Sequence, residues 1–207
     1  MTKEVTLGEL EATLKWFKRD KSPGPDGWSI EFYLAFFETI GEDLLRVIEE
    51  TRNSRNIVAF ITSTFIALIP KSDNPSSYDE YRPISLCNCI YKIIAKIIAN
   101  QLRPILSKHI SPEQFAFLQD RQVHEAVGTA QEVLHTLHIK KCKGMILKVD
   151  LSKAFERVNW LYIIILLTHL GFPFIYIKWI LSCTTNIPFS ILINGSASPF
   201  FFFERGL

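Results

Sequence analysis

The chain has 207 residues, a formal net charge of +2 and a pI near 8.3, and 48% of it is hydrophobic, 16 phenylalanines included. That apolar share excludes a disordered chain and supplies a core for one ordinary domain or two small lobes. The mild basic balance does not announce a nucleic-acid binder, so any basic surface must come from local clustering.

In chain order, Thr6 or a neighbour caps a first helix running to about Asp20, with Leu7, Leu10, Leu14 and Phe17 on one face. Residues 21–27, Lys-Ser-Pro-Gly-Pro-Asp-Gly, force a loop. A helix over Ile30 to Thr51 follows, with Gly41 as its candidate bend. Thr64 to Ile69 is a β-branched, apolar strand stopped by Pro70, and Tyr81 to Leu86 is a second extended piece because Pro83 excludes a helix interior. The two make a hairpin with a long tip.

Ile90 to Leu106 is the clearest helix. Ile90, Ile93, Ile94, Ile97, Ile98, Leu102 and Ile105 gather on one side, and Lys92, Lys96 and Arg103 fall within roughly 40° of each other opposite. Val123 to Ile139 reads as a helix, Gly144 to Leu151 as a buried strand, and Ala154 to His169 and Phe174 to Cys183 as helices. The apolar run Leu161 to Leu181 is long enough for a membrane span. Gly171-Phe172-Pro173 breaks it, and His169 and Lys178 are costly in lipid, so two core helices around a turn are expected, with no membrane partner. Pro188 to Asn194 is strand-like, Asn194-Gly195 is a turn signal, and Pro199 to Phe203 is the candidate return strand.

Several features can carry chemistry, each with a plainer structural reading. Asp150 closes an apolar strand, where carboxylates are held rigidly at clefts; from this position alone, a helix cap explains it better. Lys71 and Arg82 flank the hairpin tip and suit a polyphosphate, yet from these residues alone solvated charges explain them better. The Lys92, Lys96, Arg103 stripe can track a phosphate backbone or simply face water. The 21–27 loop with Lys21 can hold phosphates, although most such loops are only turns. Cys87, Cys89, Cys142 and Cys183 form no Cys-x-x-Cys pair, which argues against zinc, and read as reduced intracellular thiols, in nucleus or cytoplasm alike. His135 and His138 have i, i+3 spacing, better explained by an exposed helix face than by a metal.

Taken together and in order, these pieces resemble one family. The stretches are residues 21–27, Leu68-Ile-Pro-Lys71, Tyr81-Arg-Pro-Ile-Ser-Leu86 through Asn88, Tyr91-Lys92-Ile93, Ala95-Lys96-Ile97, Asn100 and Leu102. Ser111-Pro-Glu-Gln-Phe115 with Arg121-Gln122 follows, then Val149-Asp-Leu-Ser-Lys-Ala-Phe155 with Val158 and Trp160. Leu170-Gly-Phe-Pro173, Trp179-Ile180, Asn194-Gly195 and Arg205-Gly206-Leu207 complete the series. The chain resembles the reverse transcriptase domain of non-LTR, LINE-type retrotransposons, of the kind abundant in plant genomes.

The resemblance implies an α+β right-hand polymerase with an incomplete palm: an N-terminal helical extension at 1–62, fingers at 63–143 and a partial palm at 144–207. It implies addition of deoxynucleotides to a DNA primer on an RNA template with two Mg²⁺ ions. Asp150 then becomes the first metal-binding aspartate, joined by the Leu151 carbonyl. Phe155 becomes the ring that collides with a 2′-OH, and Lys71 and Arg82 hold the triphosphate beside the amides near Lys153 and Ala154. Lys21, Lys92, Lys96, Arg103, Gln114 and Arg121 become nucleic-acid contacts. The chain departs from the family at Glu156, where Asp is usual, and at Asp120, where Gly is. It contains no Arg-Gln-Gly segment and no Phe/Tyr-x-Asp-Asp turn, the source of the remaining palm aspartates. The expectation is therefore a fragment inactive on its own; a non-enzymatic RNA- or DNA-binding remnant, or an element fragment without selected function, is the alternative.

Overall fold

The computed structural model describes residues 3–116, 118, 121–150 and 157–203. The chain divides into two compact units: Met1–Ile98 with Phe155–Leu207, and Ala99–Ala154. The class is mixed α/β.

The first unit opens with helix α1 (Leu7–Trp16), capped as expected: the Thr6 hydroxyl accepts from the Glu9 N–H at 3.2 Å. It stops at Trp16 rather than Asp20, because the polar run after Phe17 offers no apolar residue for another turn. The helix expected over 30–51 is two helices, α2 (Ile30–Ala35) and α3 (Phe37–Ser54), joined at Phe36. The bend is not at Gly41. That glycine is buried in α3, where a Cβ would meet the Phe37 ring at 3.2 Å, so its smallness serves packing.

A short turn, α4 (Ala59–Thr62), feeds strand β1 (Thr64–Pro70), which pairs antiparallel with β2 (Tyr81–Cys87) from Thr64↔Cys87 to Pro70↔Tyr81. The expected hairpin is therefore present. Helix α5 (Cys89–His109) follows and runs through Pro104. Its first half buries Ile93, Ile94, Ile97 and Ile98. After α6 (Val123–Ile139), the apolar run 161–181 forms α7 (Trp160–His169) and α8 (Phe174–Ser182) around Gly171, whose φ of +78° favours glycine. Among the described residues no helix is long and apolar enough to cross a membrane. Only Leu167 of α7 is buried, so that helix is less of a core element than expected.

Strand β3 (Pro188–Ile193) lies parallel to β1, and its other edge carries β4 (Ser196–Ala197) and β5 (Phe201–Phe202). Between them Ser198 sits in a bulge: its hydroxyl accepts from the Ile191 N–H at 3.0 Å and its carbonyl from the buried Ser190 hydroxyl at 2.6 Å. The core closes through α8. Trp179 is fully buried and its indole N–H donates to the Thr51 hydroxyl of α3 at 3.2 Å. The Tyr176 hydroxyl donates to the Ile98 carbonyl, and the Tyr91 hydroxyl to the Cys183 carbonyl. Each buried Ile or Leu contributes about 1.5–3 kcal/mol of transfer free energy, and the phenol and indole groups keep a partner, so their burial leaves no orphaned donor.

The second unit contains the end of α5, the turn after it, and α6, which buries none of its residues. The strand expected at Gly144 to Leu151 does not form over its described part. Residues 142–150 have neither helix nor strand, and Met145 and Val149 are 89% and 70% exposed. A strand needs a neighbour for its N–H and C=O groups, and no strand among the described residues pairs with this segment.

Candidate nucleotide and nucleic-acid interface

The β1–β2 hairpin places two of the expected cations together. Arg82 stands directly across from Ile69, and the Lys71 N–H continues the ladder to the Glu80 carbonyl at 2.8 Å. Lys71 and Arg82 are thus diagonal neighbours on one hairpin. Pro70 ends the strand, and the Lys71 ammonium folds back onto the Asp79 carbonyl at 2.6 Å. Arg82 is exposed and has no acidic partner among the described residues. A polyphosphate approaching the tip would meet a free guanidinium and an ammonium held by one neutral acceptor.

The 21–27 loop is fixed by a residue whose role the sequence did not show. Asn88, 1% exposed, lies where β2 passes into α5. Its Oδ1 accepts from the Asp26 N–H at 3.1 Å, and its Nδ2 donates to the Phe60 carbonyl at 2.8 Å. Gly24 packs so closely there that a Cβ would fall 2.3 Å from the Asn88 backbone nitrogen. The loop then turns tightly: the Gly27 N–H bonds the Gly24 carbonyl at 3.1 Å, and the Asp26 carboxylate accepts from the Trp28 N–H at 3.0 Å.

Lys21 and Lys92, far apart in sequence, line one groove of about 660 Å³ in the first unit, with Trp16, Phe17, Lys18 and Ile84. Lys96 lies 3.1 Å from the Trp16 ring centroid, so the stripe on α5 does not merely face water. Trp16 is still 65% exposed. Aromatic rings interleaved with lysines are the arrangement that stacks bases and neutralises a single-stranded backbone. Sequence reasoning missed Trp16, Phe17 and Lys18. The signal was their position just before the Pro/Gly loop, which turns the chain back over β2.

In the second unit Arg121 is engaged by backbone. Its guanidinium donates to the carbonyls of Ser111, Gln114 and Ile110, the last two at 2.8 and 3.0 Å, and so satisfies the chain leaving α5. Gln114 is exposed, and its amide nitrogen donates to the Ala116 carbonyl at 3.3 Å. Arg103 is half-buried in the later part of α5. Asp150 is exposed in the irregular segment. Leu151, Lys153, Ala154 and Phe155 lie outside the described residues, as do Asp120 and Glu156.

Among the described residues no group of three His, Cys, Asp or Glu side chains is placed to hold a metal. Asp150 alone falls short of the several oxygens that Mg²⁺ takes, so the described residues do not by themselves fit a magnesium centre. Burial pushes the Cys183 thiol up to about 12, and Cys89 is raised by the same cause, so neither is a thiolate near neutrality.

The sequence model of one family, described as Reverse transcriptase (RNA-dependent DNA polymerase), matches residues 69–207, a stretch that includes Lys71, Arg82 and Asp150. The chain is 30% identical over 203 residues, 98% of its length, to the Transposon TX1 uncharacterized 149 kDa protein of Xenopus laevis. It is 26% identical over 76% of its length to the Retrovirus-related Pol polyprotein from type-1 retrotransposable element R1 of Bradysia coprophila. It is 34% identical over 45% of its length to the Probable RNA-directed DNA polymerase from transposon BS of Drosophila melanogaster. The chain spans 16% of the first two relatives and 11% of the third. The Xenopus match reaches the N-terminal helices that the family model leaves out, so α1 to α4 belong to the shared sequence as well. With the ordered motifs, these matches place the chain in the reverse transcriptase family, alongside proteins of transposons and non-LTR retrotransposons.

Proposed function

We propose that the chain is the fingers and first palm segment of an RNA-directed DNA polymerase, holding template and incoming deoxynucleotide for a centre completed by carboxylates outside these 207 residues. The observation that carries this reading is the hairpin that sets Arg82 and Lys71 diagonally across from each other inside the stretch matching the family. Arg82 grips two phosphate oxygens through its planar fork, and Lys71 leaves the Asp79 carbonyl to meet a third. The groove of Trp16, Lys18, Lys21 and Lys92 seats the template, with base faces on the indole and phosphates at the ammonium groups. In the second unit Arg103 and Gln114 are nucleic-acid contacts of their own, and Arg121 holds the turn that presents Gln114. By the family pattern, Phe155 sets sugar selectivity by its bulk, and Lys153 and Ala154 offer backbone amides to the phosphates. Asp150, with the Leu151 carbonyl, would hold one side of a metal ion whose other oxygens come from elsewhere. Magnesium, when bound, supplies neutralisation of the developing phosphate charge.

The 207 residues by themselves bind primer–template and extend nothing. Extension of a primer on an RNA template with Mg²⁺ is the test. No product above an Asp150→Asn control is expected; template-dependent product above that control overturns the claim of inactivity. A second reading, a nucleic-acid binder without catalysis, is favoured by a groove built without Asp150. Salt-sensitive RNA binding that weakens in Lys92→Ala and Lys96→Ala, with no dNTP affinity at the hairpin, selects it.

A further inference from the structure

A second pair of cations lines one pocket of the first unit, away from the hairpin tip. A pocket of about 480 Å³ is lined by Arg55, Asn56, Lys178, Ser182, Thr185 and Asn186, and no carboxylate is in its wall. Neither Arg55 nor Lys178 has an acidic partner among the described residues; the Lys178 ammonium lies 4.8 Å from the Phe174 ring centroid. Two like charges lining one cavity repel unless an anion lies between them.

The backbone holds Arg55 there at some cost. It ends α3 in the left-handed region, φ 60° and ψ 26°. Glycine is the usual residue at such a helix end, because any side chain is strained there. Asn186, in the turn before β3, is also left-handed at φ 58°. Asparagine tolerates that conformation, so of the two only Arg55 is held at a cost. Thr62, also in the wall, leads into β1, and Asn186 leads into β3, which runs parallel to β1. The pocket therefore lies at the start of both strands. Lys71 and Arg82 lie at the far end of β1, roughly 20 Å along the strand.

We propose that this pocket binds a phosphoryl group, with the Arg55 guanidinium and Lys178 ammonium as charged donors and the amides of Asn56 and Asn186 beside them. A dianionic phosphate matches two cations with no acid nearby, and the volume admits a phosphate with its sugar. The phosphate belongs to a polynucleotide backbone or to a free phosphorylated compound. A charge that only complemented the negative C-terminal end of α3 would show in stability alone.

The test is calorimetric titration of the full 207-residue chain at low salt with inorganic phosphate and, separately, a short single-stranded RNA. Arg55→Gly and Lys178→Gln are compared with a Lys71→Gln/Arg82→Gln control. Each pocket variant is expected to weaken phosphate binding about tenfold, roughly the loss of one charge-assisted hydrogen bond. Arg55→Gly is expected to melt no lower than the parent, since glycine relieves the left-handed strain. RNA that weakens in parallel identifies a backbone phosphate; RNA that does not identifies a free phosphorylated ligand. Phosphate affinity unchanged in both pocket variants overturns the proposal. If losses are then confined to the hairpin control, the polymerase reading stands without the pocket; if no variant loses affinity, both fall.

Discussion

The hairpin of the first unit and the Asp150 segment of the second are built to different degrees. Lys71 and Arg82 stand at the tip of a strand pair whose ladder is complete from Thr64 to Tyr81 and is flanked by β3. Asp150 ends a run in which Met145, Ile146, Leu147 and Val149 are all exposed and no strand partner is described. A cation can act from an exposed position if the strand beneath it is rigid, because phosphate comes to it. A metal-binding carboxylate needs other oxygens brought within about 2 Å of the same ion, so it depends on what surrounds its strand. On the proposed reading, the difference separates substrate holding, assigned to the hairpin of the first unit, from catalysis, assigned to the acid of the second.

Stability measurements sharpen that contrast first. Trp179→Ala removes a fully buried ring that also donates to Thr51, and is expected to cost about 3–5 kcal/mol by urea denaturation. Leu147→Ala, 79% exposed, is expected to fall within about 0.5 kcal/mol of the parent. Equal losses would erase the distinction between the two regions. Next comes the pin under the Pro/Gly loop: Asn88→Ala leaves the Asp26 N–H and the Phe60 carbonyl without their partner, for about 2–3 kcal/mol. Asn88→Asp keeps the acceptor but sets an oxygen against the Phe60 carbonyl, so it should not rescue; full rescue would deny the donor bond. The smallest effect is chemical. Cys142 is exposed and should react with a thiol reagent in the native state, whereas buried Cys183, raised to about 12, should react only on unfolding. The sign follows from burial: a raised folded pKa favours the fold while the thiol stays protonated, and that contribution is lost as pH rises through about 12.

Much of the first unit was legible in the sequence, because its elements rest on local rules. Thr6 capped α1, Pro70 ended β1, Pro83 excluded a helix where β2 runs, and the isoleucine spacing of α5 marked its buried side. What could not be read depended on contacts distant in sequence. Asn88 looked like a motif letter, and only the approach of residues 24–26 and 60–61 shows why its amide is buried. Trp16 lies off the Leu7, Leu10, Leu14 and Phe17 face and carried no signal in that pattern, yet it forms a groove wall with Lys21 and Ile84 because α1 stops there. Arg121 matched a template contact by its motif, while its guanidinium fits the open carbonyls after α5. The strand at 144–151 failed for the opposite reason: alternation and apolarity describe what a strand buries, not whether a neighbour is there to pair with it.

The central claim is that the hairpin holds the nucleotide independently of the acid that would do chemistry. Equilibrium binding of a deoxynucleoside triphosphate to the chain, with its Arg82→Gln, Lys71→Gln and Asp150→Asn variants, tests it most directly. Each hairpin variant is predicted to weaken binding by about tenfold or more, and Asp150→Asn by less than about twofold. Hairpin variants that bind as the parent does, or an Asp150→Asn loss as large as theirs, would contradict the account.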